Sequence, residues 1–106
     1  MEEISSTELK TRIDAGDDIQ IIDVREDNEV ALGTIPNAKH IPLAQVLMRM
    51  DEIEPNHETV VYCKMGGRSA RAIDVLQRSG FKGKLINLRG GIIGWSTEVD
   101  PSLPRY

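Results

Sequence analysis

Aromatic residues are scarce in this chain: one Trp, one Phe and two Tyr among 106 residues. The interior must therefore be assembled from Ile, Val, Leu and Ala. Cysteine occurs once, which excludes an internal disulfide and any zinc site made of several thiolates. No apolar run comes near the ~20 residues that a membrane-crossing helix requires. The first residues also lack the charged-then-apolar pattern of a secretion signal. There is no basic block to track a phosphate backbone, since acidic and basic residues are interspersed and the net charge is −4. A cytoplasmic protein with neither nucleic-acid nor membrane partners is expected.

The length suits one domain spanning 1–106, and 40% apolar with 28% charged residues is ordinary for a globular chain. Ser5 and Glu8 have capping-box spacing ahead of Leu9 and Ile13, with Gly16 as a stop, which predicts a helix over 6–15. Ile19 to Val24 is mostly apolar and β-branched, a buried strand ending near Asp23. A helical turn is expected at Glu26–Ala31, a tight turn around Pro36 and Asn37, and a short strand from Ala38 to Ile41. Leu43, Val46, Leu47 and Met50 follow helical spacing, which predicts an amphipathic helix over 43–51 with Met48 and Met50 as packing residues.

Thr59 to Tyr62 reads as the clearest strand, Ser69 as the start of a helix running to Gly80, and Leu85 to Leu88 as another strand. Gly90 and Gly91 lead into a short helix at Ile92–Ser96, and 101–106 reads as an extended tail. Strands alternating with helices predict an α/β fold, a central parallel sheet with helices on both faces. Ligands of such sheets sit beyond the carboxyl ends of the strands, which is where Cys63 lies.

Four features converge on Cys63 within Val60-Val61-Tyr62-Cys63-Lys64-Met65-Gly66-Gly67-Arg68-Ser69. The cysteine stands at a strand-to-helix turn, where unpaired N–H groups and the helix dipole favour an anion. Gly66 and Gly67 allow positive φ and an inward curl of main-chain N–H groups. Lys64 and Arg68 add positive charge. All four lower a thiol pKa, and the thiolate is the nucleophile. A plain surface turn after a buried strand would account for the glycines but not for two cations on the same short loop.

This stretch resembles the active-site loop, here 63–68, of rhodanese-like sulfurtransferase domains, and the resemblance runs through nearly the whole chain. Ile22-Asp23-Val24-Arg25-Glu26, with Glu29 after it, is similar to the family's first signature. Gly33 to Pro42 resembles its Gly-His-Ile-Pro-Gly-Ala-x-x-Ile-Pro segment, except that Thr34 and Asn37 replace the usual His and Gly. Leu88 to Trp95 resembles the closing Gly-Gly-x-x-x-Trp element. Cys63 to Ser69 and the ending Gly94 to Tyr106 are similar to the C-terminal rhodanese domain of molybdopterin-synthase adenylyltransferase/sulfurtransferase proteins. Those proteins activate a small ubiquitin-like sulfur carrier and donate sulfur to it, in molybdopterin, thiamine or related pathways.

The resemblance implies that Cys63 takes a sulfane sulfur, from thiosulfate or a protein persulfide, and passes it to a thiophilic acceptor such as the C-terminus of that carrier. The loop residues Lys64, Met65, Gly66, Gly67, Arg68 and Ser69 would bind substrate, with Asp23 and Arg25 in support. No cofactor is called for, and an adenylyltransferase domain is an expected partner. From its position, Ser69 is read as a helix N-cap, Asp23 as orienting the loop, Arg25 and Glu29 as an ion pair, and Trp95 as a packing anchor. His40 and His57 have no metal spacing with Cys or carboxylates and read as surface or packing residues. Two alternatives stand beside this: a non-catalytic rhodanese-like binding module, and a cysteine phosphatase. Cysteine phosphatases carry the loop Arg one position farther from Cys, so the cradle here is smaller and better sized for a sulfur atom.

Overall fold

The structure, a computed structural model, describes residues 1–106. In chain order the elements are β1 (Glu3–Ile4), α1 (Ser6–Asp14), β2 (Ile19–Asp23), α2 (Asp27–Val30), β3 (Ala38–His40), β4 (Glu58–Tyr62), α3 (Gly67–Arg78), β5 (Leu85–Leu88) and α4 (Gly91–Glu98). The five strands form one sheet in the order β1-β5-β4-β2-β3, and every pairing is parallel. None of the helices is long and apolar enough to cross a membrane.

Two-residue alternation along the strands divides the core between the two faces. Ile22, Val61, Cys63 and Leu85 pack with Ala72, Ile73 and Leu76 of α3 on one face. Ile21, Val60, Tyr62, Ile86 and Leu88 pack with Leu9 of α1 and with Ile92 and Trp95 of α4 on the other. Strands buried on both sides carry continuous apolar runs, which is why 19–24 and 59–62 stand out in the sequence. The same alternation sends Tyr62 toward α4 and Cys63 toward α3, and Trp95 closes its face with 2% of its surface exposed.

The predicted helix over 43–51 does not form. The segment holds two 3₁₀ turns, Leu43–Gln45 and Met50–Glu52. Val46 is buried and Leu43 and Met50 are partly so, too few anchors for a helical face to dock, and Leu47 stays exposed. Met48 is not a packing residue: 78% of it is exposed. Strand β1 was not foreseen, because two residues are too few to show a period. The turn at Asn37 has φ 65°, so the residue replacing the family's Gly is one that tolerates the left-handed region. The tail begins with a turn in which Leu103 N–H donates to the Asp100 carbonyl at 3.2 Å.

Candidate active site

Cys63 follows β4 at its carboxyl end, between β2 and β5. Its side chain is 1% exposed, yet polar groups turn toward the sulfur. The Gly66 N–H donates to Sγ at 3.1 Å, and the Met65 and Ser69 N–H groups add to the field that favours a charged sulfur. Gly66 has φ 115°, a conformation that L side chains rarely adopt, and this turns the chain from the loop into α3. Gly67 does not share that role. Its φ is not positive, it is the first residue of α3, and a β-carbon there would meet open space.

Ser69 is not the helix cap; Gly66 is. Ser69 lies inside the first turn of α3, with its hydroxyl 3.4 Å from Sγ, 2.6 Å from Asn87 Oδ1 and 3.2 Å from the Gly66 carbonyl oxygen. It can turn its proton toward sulfur when the thiolate forms. Asn87, buried on β5, also donates from Nδ2 to the Gly66 carbonyl at 3.2 Å, and so fixes both the hydroxyl and the loop. Sequence reasoning passed over Asn87, although an amide inside the apolar strand Leu-Ile-Asn-Leu needs buried partners and signals a built site.

Burial pushes the Cys63 thiol up, but the Ser69 hydroxyl and the N–H groups of Ser69, Gly66 and Met65 outweigh it and hold the thiol below its ordinary range. Replacing Ser69 by Ala is therefore expected to raise the pH midpoint of iodoacetamide labelling of Cys63. Asn87→Ala should move it in the same direction but less far, because the hydroxyl remains and loses only its anchor.

The cations do not sit as the sequence suggested. Arg25 does not pair with the Glu29 carboxylate. It is fully buried against Asp23, with Nη2 2.8 Å from Oδ2, and it reaches only the Glu29 carbonyl, at 3.2 Å. Burial opposes its charge, but the hydrogen bonds it donates to Asp23 and Tyr106 more than hold it ionised. Asp23 directs its side-chain hydrogen bonds to Arg25 and Tyr62 rather than into the loop. It accepts the Tyr62 hydroxyl at 2.6 Å and Arg25, tying the ends of β2 and β4 together one residue before Cys63. His40 Nε2 lies 2.6 Å from the Arg25 carbonyl, and His57 lies between the exposed carboxylates of Asp18 and Glu54.

Arg68 is held in a fork by Glu29, at 2.6 and 2.8 Å. The Arg68 hydrogen bonds, against some burial, hold the Glu29 carboxyl down at about 2. A carboxyl whose pKa falls from 4.5 to about 2 on folding contributes stability that is fully present above pH 4.5 and is lost as the pH drops through about 2. Glu29→Gln should therefore melt lower at pH 7 and lose less stability between those limits than the wild type. Thermal melts across pH read this directly. Part of the acid loss should remain in the variant, because Glu52 and Glu58, paired with Arg49 and Arg12, are also held at about 2.

At the loop's other end, Ile92 and Ile93 of α4 donate N–H groups to the Cys63 and Lys64 carbonyls at 3.0 and 3.2 Å. Lys64 extends its ammonium over the Tyr106 ring, 4.7 Å from the centroid, and Met65 is 68% exposed at the tip of the loop. An open hollow of about 410 Å³ beside α1 lies at the amino end of β4, away from Cys63, and its Glu58, Arg12 and Lys84 are paired with one another.

A parallel α/β sheet that carries a cysteine in an amide-lined strand-to-helix loop is the architecture of a known class. The family model of the rhodanese-like domain matches residues 5–98, and the chain belongs to that family. A putative sulfurtransferase of Bacillus subtilis, YtwF, is 39% identical over 101 residues, covering 95% of this chain and 96% of that protein. The probable adenylyltransferase/sulfurtransferase MoeZ of Mycobacterium tuberculosis is 30% identical over 105 residues, and the match covers 97% of this chain but 26% of that protein. The crystal structure of a rhodanese-like domain protein from Staphylococcus aureus superposes with a TM-score of 0.85 at 33% identity, over 100% of this chain and 99% of that one.

Proposed function

We propose that this protein is a sulfurtransferase that carries a sulfane sulfur as a persulfide on Cys63. What carries the proposal is the Gly66 N–H donating to Sγ, backed by the Ser69 hydroxyl 3.4 Å away, around a sulfur that is almost wholly buried. Preorganised donors in a site shielded from water stabilise a sulfur anion far better than solvent-exposed ones.

With thiosulfate as donor, the Cys63 thiolate attacks the outer sulfur, the donor's S–S bond breaks, and sulfite leaves with the electron pair. A nucleophilic acceptor then attacks the outer persulfide sulfur, and Sγ departs as the thiolate. No oxidant or cofactor enters either step. The chain has no second cysteine, so an acceptor or an external thiol must discharge the persulfide.

In this scheme 63–68 is the active-site loop of a domain spanning 1–106. Cys63 is the nucleophile, the N–H groups of Met65, Gly66 and Ser69 hold the outer sulfur, and Gly67 opens the helix. Lys64 meets anionic reactants, while Arg68, Asp23 and Arg25 brace the loop. The likeness to MoeZ, named an adenylyltransferase/sulfurtransferase, supports an activated C-terminus of a ubiquitin-like sulfur carrier as a second kind of acceptor, with an adenylyltransferase domain as partner. That C-terminus is an electrophile: its carbonyl is attacked by the outer persulfide sulfur, the activating group leaves, and external thiols then cleave the S–S bond to Cys63 and release the thiocarboxylate. A protein persulfide is the alternative donor, and a cytoplasmic location suits both. The test is to expose the intact protein to thiosulfate and to a persulfide donor and to weigh it. A wild type that never gains sulfur overturns the function.

A further inference from the structure

Three cationic side chains surround the Cys63 loop, and two of them are committed. Arg25 is buried on Asp23, and Arg68 is forked onto Glu29. Lys64 makes no ion pair. Its ammonium instead sits over the Tyr106 ring, 4.7 Å from the centroid. Because the Lys64 carbonyl is fixed by the Ile93 N–H, only the flexible side chain can carry the charge elsewhere.

Tyr106 is itself tightly placed. Its hydroxyl donates to Glu29 Oε2 at 2.8 Å and accepts from Arg25 Nη1 at 3.1 Å, and its ring also faces the Arg25 guanidinium. The tail behind it is tied down by Ser96 Oγ on the Leu103 carbonyl, at 2.8 Å, and by Arg105 on Thr97 Oγ1, at 2.7 Å.

We propose that Tyr106 is a positioning residue: its ring holds the Lys64 ammonium at the rim of the Cys63 loop, and so gives the site its preference for anionic reactants. This deepens, and rests on, the sulfurtransferase function above. The tail then acts on the sulfur chemistry only through Lys64. It selects donors such as thiosulfate, and acceptors presenting a carboxylate or phosphate, over neutral ones.

Two alkylating agents with the same leaving group, iodoacetate and iodoacetamide, report that preference without any sulfur donor. The readout is the ratio of their second-order rates at Cys63, anionic over neutral. A cation resting on an aromatic face is stabilised enough to shift such a ratio about threefold. Lys64→Gln is expected to lower the ratio about threefold. Tyr106→Leu should lower it nearly as far, and Tyr106→Phe, which keeps the ring, should leave it within about twofold of wild type. The double variant Lys64→Gln/Tyr106→Leu should fall no further than Lys64→Gln alone.

Tyr106→Met keeps bulk without an aromatic face and gives the same readout if Tyr106→Leu unfolds. An unchanged ratio in the Leu and Met variants, or an additive loss in the double variant, overturns the proposal. Failure of sulfur loading is a separate result read by mass, so the two cannot be confused.

Discussion

Intact wild-type protein treated with thiosulfate is expected to gain the mass of one sulfur atom, while Cys63→Ala and Cys63→Ser gain none. Each loss should be complete, because the chain contains no other thiol to take the sulfur. Serine is the stricter comparison, since it preserves the size of the side chain and its place among the N–H groups. Its hydroxyl nonetheless stays protonated in the loop that favours a thiolate, and oxygen is a poor nucleophile toward divalent sulfur. The same preparations should not hydrolyse a phosphotyrosine analogue. Phosphoryl transfer in such a loop needs a guanidinium free to fork onto the phosphate oxygens, and here both terminal nitrogens of Arg68 are engaged by Glu29. Cys63-dependent hydrolysis of the analogue with no uptake of sulfur would reverse the assignment. An inert module that uses the fold only for binding predicts a third pattern: no sulfur gained, and a thiol that titrates at the ordinary value of ~8.5.

The parts of the fold that were legible in the sequence are those with a strong local signal. Buried strands of a parallel sheet read as unbroken β-branched runs, and the Ser5–Glu8 capping box is formed as its spacing indicates. The segment 43–51 misled because helical spacing of apolar residues says nothing about whether a face exists to receive them. With Leu47 and Met48 left in solvent, two 3₁₀ turns suffice. At the site, the strand-to-helix turn and the need for glycine at 66 follow from local chemistry, whereas the pairing of charges does not. Glu29 and Arg68 are 39 residues apart, and only the folded sheet brings them together. The nearer partner suggested by spacing, Arg25, is drawn inward by Asp23 on its own strand end. Asn87 and Tyr106 act across the sheet and from the tail, where no sequence period could connect them to position 63.

Gly91→Ala is expected to lower both stability and reactivity at Cys63, although residue 91 lies 28 positions along the chain and touches no sulfur. Gly91 has φ 57°, and a β-carbon there would lie 2.5 Å from the Lys64 carbonyl carbon and 2.7 Å from the Cys63 carbonyl oxygen. These are backbone atoms and cannot swing aside as a side-chain end could. Left-handed strain and overpacking together cost on the order of 2–4 kcal/mol, or roughly 10–20 °C in melting temperature for a domain of this size. The effect on reactivity follows from peptide geometry. In a trans peptide the C=O and N–H point in opposite directions, so docking the Lys64 carbonyl on the Ile93 N–H aims the Met65 N–H back toward the sulfur. Pushing α4 away from the loop releases that carbonyl and loosens the donor set, which should raise the labelling midpoint of Cys63 and slow sulfur loading. Gly94→Ala on the same helix is the control: its β-carbon would meet the Ser6 hydroxyl at 3.4 Å and the Arg89 carbonyl at 3.7 Å, close to ordinary contact. If Gly91→Ala kept both the wild-type melting temperature and the wild-type midpoint, the docking of the loop carbonyls on α4 would not be what orients the amides around the sulfur.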